Sequence, residues 1–143
     1  MASTRYSTPD KAERAFYDAF QRGDLHAMMA VWSQDDGAVC IHPGAPRLQG
    51  VEQIREGWRQ ILENSGGLEF VLSDIQATED DCLSIHVVRE EISIDGQLSG
   101  VMLATNIYHR DENGWHMMLH HASPEPDHYN DDWDATYEDV VLH

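Results

Sequence analysis

Ala38-Val39-Cys40-Ile41-His42-Pro43-Gly44 decides the reading of this chain, with Leu48-Gln49-Gly50 just behind it. Three β-prone residues lead into a histidine, and Pro43 and Gly44 then end the strand. Proline cannot donate to a ladder, and glycine accepts backbone angles that other residues avoid. His42 therefore stands where a rigid strand gives way to a loop, a common position for functional side chains. Two helical segments precede this point, and a third helix and a long run of strands follow it.

Working towards the N-terminus, Thr8 is placed to cap a helix that has Pro9 at its first position. Ala12, Phe16, Ala19 and Phe20 recur at helical spacing until Gly23 ends the run. Asp24 caps a second helix with Leu25, Met28, Met29 and Trp32 on one face. Working towards the C-terminus, residues 37–42 are a first strand and 45–50 a loop. Ile54, Trp58, Ile61 and Leu62 mark a third helix over 51–63, closed by Asn64-Ser65-Gly66-Gly67. Gly57 in that helix suggests a close neighbour.

The remainder reads as strands over 68–77, 82–94, 98–110 and 115–123. Asp95-Gly96 and Asn113-Gly114 are hairpin signals between them. Helices followed by an antiparallel meander predict an α+β domain with three helices on one face of a curved, mainly antiparallel sheet. The domain is expected over residues 1–124. Residues 125–143 form a separate segment with seven carboxylates and no Lys or Arg. Its Tyr129, Trp133 and Tyr137 leave two readings open, a flexible tail or a segment that docks on this chain or a partner.

The chain has 143 residues and a formal charge of −17. Such a charge disfavours nucleic acid and anionic membrane surfaces as partners. Cys40 and Cys82 lie in apolar strand-like runs; one disulfide is arithmetically possible, but two buried free thiols are the expectation. The start of the chain has no apolar signal core and no segment is long enough to span a bilayer, so a cytoplasmic location is the default expectation.

Gly23-Asp24-Leu25, His42-Pro43-Gly44, Leu48-x-Gly50, Ile54-x-x-Gly57-Trp58 and Trp115…His120-His121-Ala122-Ser123, in this order of elements, resemble the nuclear transport factor 2-like superfamily, and within it the SnoaL-like branch. The strands from Thr105 to Ser123 are also similar to the association domain of calcium/calmodulin-dependent kinase II. The resemblance implies a cystatin-like cone, a conical pocket between the helices and the concave face of the sheet, and dimerisation through the convex face. It does not fix function, because the fold hosts enzymes and assembly domains alike. Against ketosteroid isomerase, which shares the fold, His42 stands at the catalytic aspartate's position, Phe16 at the oxyanion-hole tyrosine's and Asn106 near the second acid's. Ketosteroid isomerisation is therefore not expected.

Period-2 counting places His86, Val88 and Glu90 on one face of a strand and Met102, Ala104, Asn106 and Tyr108 on one face of the next. Comparison with the kinase association domain turns these faces inward, together with Met118, His120 and Ala122. Trp115, Met117, Leu119 and His121 are then left outside, where an apolar stripe predicts a homodimer. A β-bulge would exchange the two sets. An inward Glu90 needs a partner, which Asn106 or Tyr108 on a neighbouring strand is placed to supply.

The candidate catalytic residue is His42, as a base with a near-neutral pKa. The candidate binding residues are Phe16, Trp32, Trp58, His86, Glu90, Asn106, Tyr108 and His120. No cofactor is expected. No metal site is readable either, since it would require His42, His86 and His120 to converge. Two functions stand: binding of a small apolar carbonyl compound, with isomerase-, cyclase- or dehydratase-like proton transfer, or non-enzymatic assembly around a vestigial pocket.

Overall fold

The computed structural model describes residues 6–64 and 66–126. The expected C-terminal segment, apart from Glu125 and Pro126, lies outside them. Helix α1, Pro9–Arg22, begins where Thr8 Oγ1 accepts the Lys11 N–H at 3.1 Å and ends at Gly23 in the left-handed region. Asp24 opens α2, Leu25–Val31, by accepting the Ala27 N–H at 3.0 Å. The third helix, α3, spans Val51–Asn64 and buries Ile54, Trp58 and Leu62, which lie on one face at spacings of four.

Among the described residues six strands form one sheet: β1 Val39–Ile41, β2 Leu48–Gln49, β3 Leu68–Glu79, β4 Leu83–Ile94, β5 Gln97–Asp111 and β6 Gly114–Pro124. Their order is β2-β1-β6-β5-β4-β3. All pairs are antiparallel except β1 with β6, whose register sets Cys40 opposite His120. The predicted α+β architecture is the observed one: three helices over a curled, mostly antiparallel sheet. Asp95 and Gly96 both have positive φ, as a tight two-residue hairpin requires. The short strand β2 falls in a stretch read as loop, because two residues show no period.

Two expectations need correction. The first is the outer stripe: Trp115 and Met117 are buried in the core, 5% and 0% exposed. Ile107 faces Leu119 but Tyr108 faces Met117, so β6 carries one extra residue at Met118 and the alternation inverts. His120 and Ala122, beyond the bulge, point inward as expected and are buried. The second is Cys82, a free thiol that is exposed rather than buried. It lies just before β4 in a turn where Asp80 Oδ1 accepts its N–H at 2.9 Å. Cys40 is free and buried.

The helices pack a single main core against the sheet, with Phe16, Trp32, Trp58, Tyr108 and Met117 among its largest side chains. Gly57 does admit a close neighbour: a Cβ there would collide with Leu48 Cδ1. Among the described residues no helix is long and apolar enough to cross a membrane.

Candidate functional site

Between α3, the β1–β2 connection and the inner face of the sheet lies a cavity of about 650 Å³. Its wall is mostly apolar, with Phe20, Ile61, Phe70, Ile92 and Met102 among its residues. Its polar groups include His42, Glu90, His120, Gln60 and Asn64. Of the nine candidate site residues, His42, Glu90 and His120 border the cavity.

The other six stand behind it. Phe16 and Trp58 are fully buried and back the histidines: the Phe16 ring centroid is 4.9 Å from His120, and Trp58 is 4.7 Å from His42. Trp32 lies in the core, bridged to Met117, and does not border the cavity. His86, Asn106 and Tyr108 are buried in a polar cluster further along the sheet.

That cluster is built on two α1 residues absent from the sequence candidates, Glu13 and Tyr17. Glu13 Oε2 accepts from Tyr108 Oη at 2.9 Å and from Asn106 Nδ2 at 3.1 Å. Its Oε1 lies 3.0 Å from His86 Nδ1, an ion-pair distance, although the ring is not aligned for a hydrogen bond there. His86 Nε2 meets Ser84 Oγ at 2.9 Å. Asn106 Nδ2 also donates to Tyr17 Oη at 3.0 Å, and Tyr17 Oη in turn donates to Glu90 Oε2 at 2.5 Å. On the other side of the amide, His120 Nδ1 meets Asn106 Oδ1 at 2.6 Å. Glu90 thus finds its partner on a helix, not on a neighbouring strand as expected.

One signal for these residues was present in the sequence. Glu13 and Tyr17 are four apart and flank the apolar stripe of α1, so a helix lying on the sheet turns both inward.

Burial dominates the electrostatics. It raises the Glu90 carboxyl to about 7; the Tyr17 hydroxyl acts in the opposite sense, and the charge on Glu13 adds to the rise. Burial lowers His120 to about 3, helped by His42 and His121, and lowers His42 to about 4. Both imidazoles are therefore neutral at neutral pH. Burial also opposes protonation of His86, but Glu13 beside it outweighs this and its pKa is raised. The Cys40 thiol is pushed up by burial, keeps its proton, and lies 3.4 Å from His42 Nε2, which it is placed to donate to. His42 has thus one nitrogen engaged by Cys40, whereas His120 has Nδ1 engaged by Asn106 and its other nitrogen, Nε2, left over.

His42 and His120 rings are 6.3 Å apart, and His86 is drawn off to Glu13. Among the described residues no three His, Cys, Asp or Glu side chains group as metal ligands. The arrangement can instead offer a neutral imidazole and a near-neutral carboxyl to one bound molecule.

Known proteins share this framework. A solved structure from Thiobacillus denitrificans, assigned as a calcium/calmodulin-dependent protein kinase type II association domain, is 38% identical, with a TM-score of 0.82 over 86% of this chain and 99% of that one. A Streptomyces avermitilis protein of the NTF2-like family, assigned as a dehydratase, is 30% identical, with a TM-score of 0.73 over 83% of this chain and 99% of that one. The F-box protein SKIP8 of Arabidopsis thaliana is 23% identical over 108 residues, 76% of this chain. The chain spans about half the length of that curated relative, 46%. The SnoaL-like domain family matches residues 11–126, and with that match, carried on the cone fold described above, the chain belongs to the SnoaL-like family of NTF2-like proteins.

Proposed function

We propose that the cavity binds a small, largely apolar, uncharged carbonyl or enol compound and moves a proton on it, as an isomerase, cyclase or dehydratase would. One observation carries the reading: His120 and Glu90 border the same apolar cavity, and both are held from behind by one buried hydrogen-bond chain. His120 Nε2, on a ring whose pKa is lowered to about 3, is a hydrogen-bond acceptor for the ligand and not its base. Glu90, with a pKa near 7, is the group that can give a proton or take one at neutral pH. His42, its ring 6.3 Å from that of His120, is a second imidazole at the cavity. Among the described residues no Lys or Arg borders the cavity, so an anionic ligand would find no counter-charge from them there.

His42→Asn tests the pocket. Asparagine keeps a donor and removes the ring base. Affinity for a carbonyl compound found by thermal-shift screening is expected to fall about tenfold or more, for one lost polar contact or base. Stability, followed by urea unfolding, should change by about 1 kcal/mol or less. A large loss of stability with unchanged affinity would make His42 a loop anchor and remove it from the site.

A second reading, self-association, draws on the outer face of the sheet. Val71, Val87 and Leu103 are 60%, 42% and 39% exposed there. They take the place of the Trp115–Met117 stripe. The Thiobacillus relative is assigned as an association domain. Light scattering is expected to show a dimer of the parent chain and a monomer for Leu103→Asp, whose carboxylate would be desolvated at the contact. A monomeric parent at tens of micromolar would remove this reading and leave the pocket reading intact.

A further inference from the structure

We propose that Glu13 is a positioning residue: its carboxylate fixes the Asn106 side-chain amide, which in turn holds His120 as the Nδ1–H tautomer with Nε2 bare towards the cavity. The role is an extension of the pocket reading given above, but it is measured without any ligand, so either can fail alone.

Asn106 is fully buried, so both ends of its amide need partners inside the protein. One end meets Glu13 Oε2 at 3.1 Å and Tyr17 Oη at 3.0 Å; the other meets His120 Nδ1 at 2.6 Å. An amide can be turned by exchanging its oxygen and nitrogen, and only the neighbours decide which way it lies. The Tyr17 hydroxyl cannot decide, because it rotates and can donate or accept. A carboxylate only accepts. With the Glu13 oxygen on one side, the amide nitrogen must face α1 and the carbonyl must face β6. The reversed amide would set two oxygens about 3 Å apart in a buried site with no donor between them, a repulsion the observed orientation avoids.

The carbonyl then has one available donor, the N–H on His120 Nδ1. A neutral imidazole carries one N–H, so Nε2 is left as a lone pair. Glu13 itself is held in place by further donors: Tyr108 reaches Oε2 at 2.9 Å and the His86 ring approaches Oε1. The hydrogen-bond-accepting nitrogen of β6 is in this way set by a helix residue that does not border the cavity.

Long-range proton–nitrogen NMR correlation spectra at neutral pH read the tautomer directly, because protonated and bare ring nitrogens resonate in separate regions. The parent protein is expected to show His120 with Nδ1 protonated and Nε2 bare. An Nε2–H tautomer would overturn the proposal. In Glu13→Leu the amide loses its fixed acceptor, and the single His120 tautomer is expected to be lost. A folded Glu13→Leu protein with an unchanged tautomer would reduce Glu13 to a structural residue. Should that variant fail to fold, Tyr17→Phe decides. It leaves the Glu13 carboxylate in place as the acceptor for Asn106 and is therefore expected to retain Nδ1–H. A changed tautomer in Tyr17→Phe would assign the amide to Tyr17 and sink the proposal.

Discussion

Between pH 5 and pH 8 the Glu90→Gln protein is expected to lose about 2 to 3 kcal/mol less stability than its parent. The parent carries a carboxyl whose folded pKa is raised from 4.5 to about 7, mainly by burial. A raised folded value means that the native state holds the proton more tightly than the unfolded chain. That contribution is full below about pH 4.5 and is lost as pH rises through 7. Glutamine imitates the protonated acid, still accepting from Tyr17, and has nothing to titrate. The buried imidazoles act the other way. Their folded pKa values, about 4 for His42 and about 3 for His120, lie below the ordinary 6.5, so their contribution is present above 6.5 and is lost on acidification. Both chains share those histidines, and the difference between them isolates Glu90. Urea unfolding at the two pH values measures it; a pH-independent difference would mean that Glu90 titrates as an ordinary carboxylate.

Replacing Trp58 with alanine is expected to cost about 3–5 kcal/mol, the range for deleting a large aromatic from a packed core. Trp58 is fully buried and makes edge-on contacts with Phe16 at 5.5 Å, Phe20 at 4.8 Å and His42 at 4.7 Å. Against a domain stability of about 5–15 kcal/mol the loss is large. Its indole Nε1 has no hydrogen-bond partner among the described residues, and deleting that buried donor offsets part of the cost. Phenylalanine, which keeps most of the packing and removes the orphan N–H, should therefore cost clearly less than alanine. Urea unfolding of both variants checks the ranking. Equal losses would show that the indole nitrogen, not the ring volume, is what the core requires.

The fold was legible because its signals are local and repeated. Thr8, Gly23 and Asp24 mark helix ends through backbone groups a few residues away, and Asp95-Gly96 marks a hairpin by its own dihedrals. That His86 and Glu90 share a face, as do Asn106 and Tyr108, followed from simple alternation, since no irregularity falls between them on β4 and β5, while the inward sense of those faces came from the resemblance to the kinase association domain. What failed was β6, where one extra residue at Met118 turned Trp115 and Met117 inward. A bulge of that kind has no side-chain signature, only a consequence for register. The site was half legible for a related reason. His42 could be read from the end of a strand, and Glu90 and His120 from alternation with the inward sense supplied by the resemblance, but the groups that hold Glu90 and Asn106, and through Asn106 His120, come from α1. Glu13 and Tyr17 are separated from Asn106 by 93 and 89 residues. How a helix lies across a sheet is decided by packing, and no short-range pattern encodes it.

The one parallel pairing carries a kinetic consequence. Strands β3 to β6 are joined by short turns and can zip as successive hairpins, whereas β1 finds β6 about eighty residues along the chain, with Val39 opposite Leu119 and Ile41 opposite His121. Contacts of such separation bear a large loop-closure cost and tend to form after the local ones. His42 and His120 are brought together through this pairing, so the cavity is expected to be completed late in folding and to open early. Substitutions in β1 should then speed unfolding while leaving the folding rate nearly unchanged, and the occupied pocket should slow opening in proportion to how tightly its occupant spans the two strands.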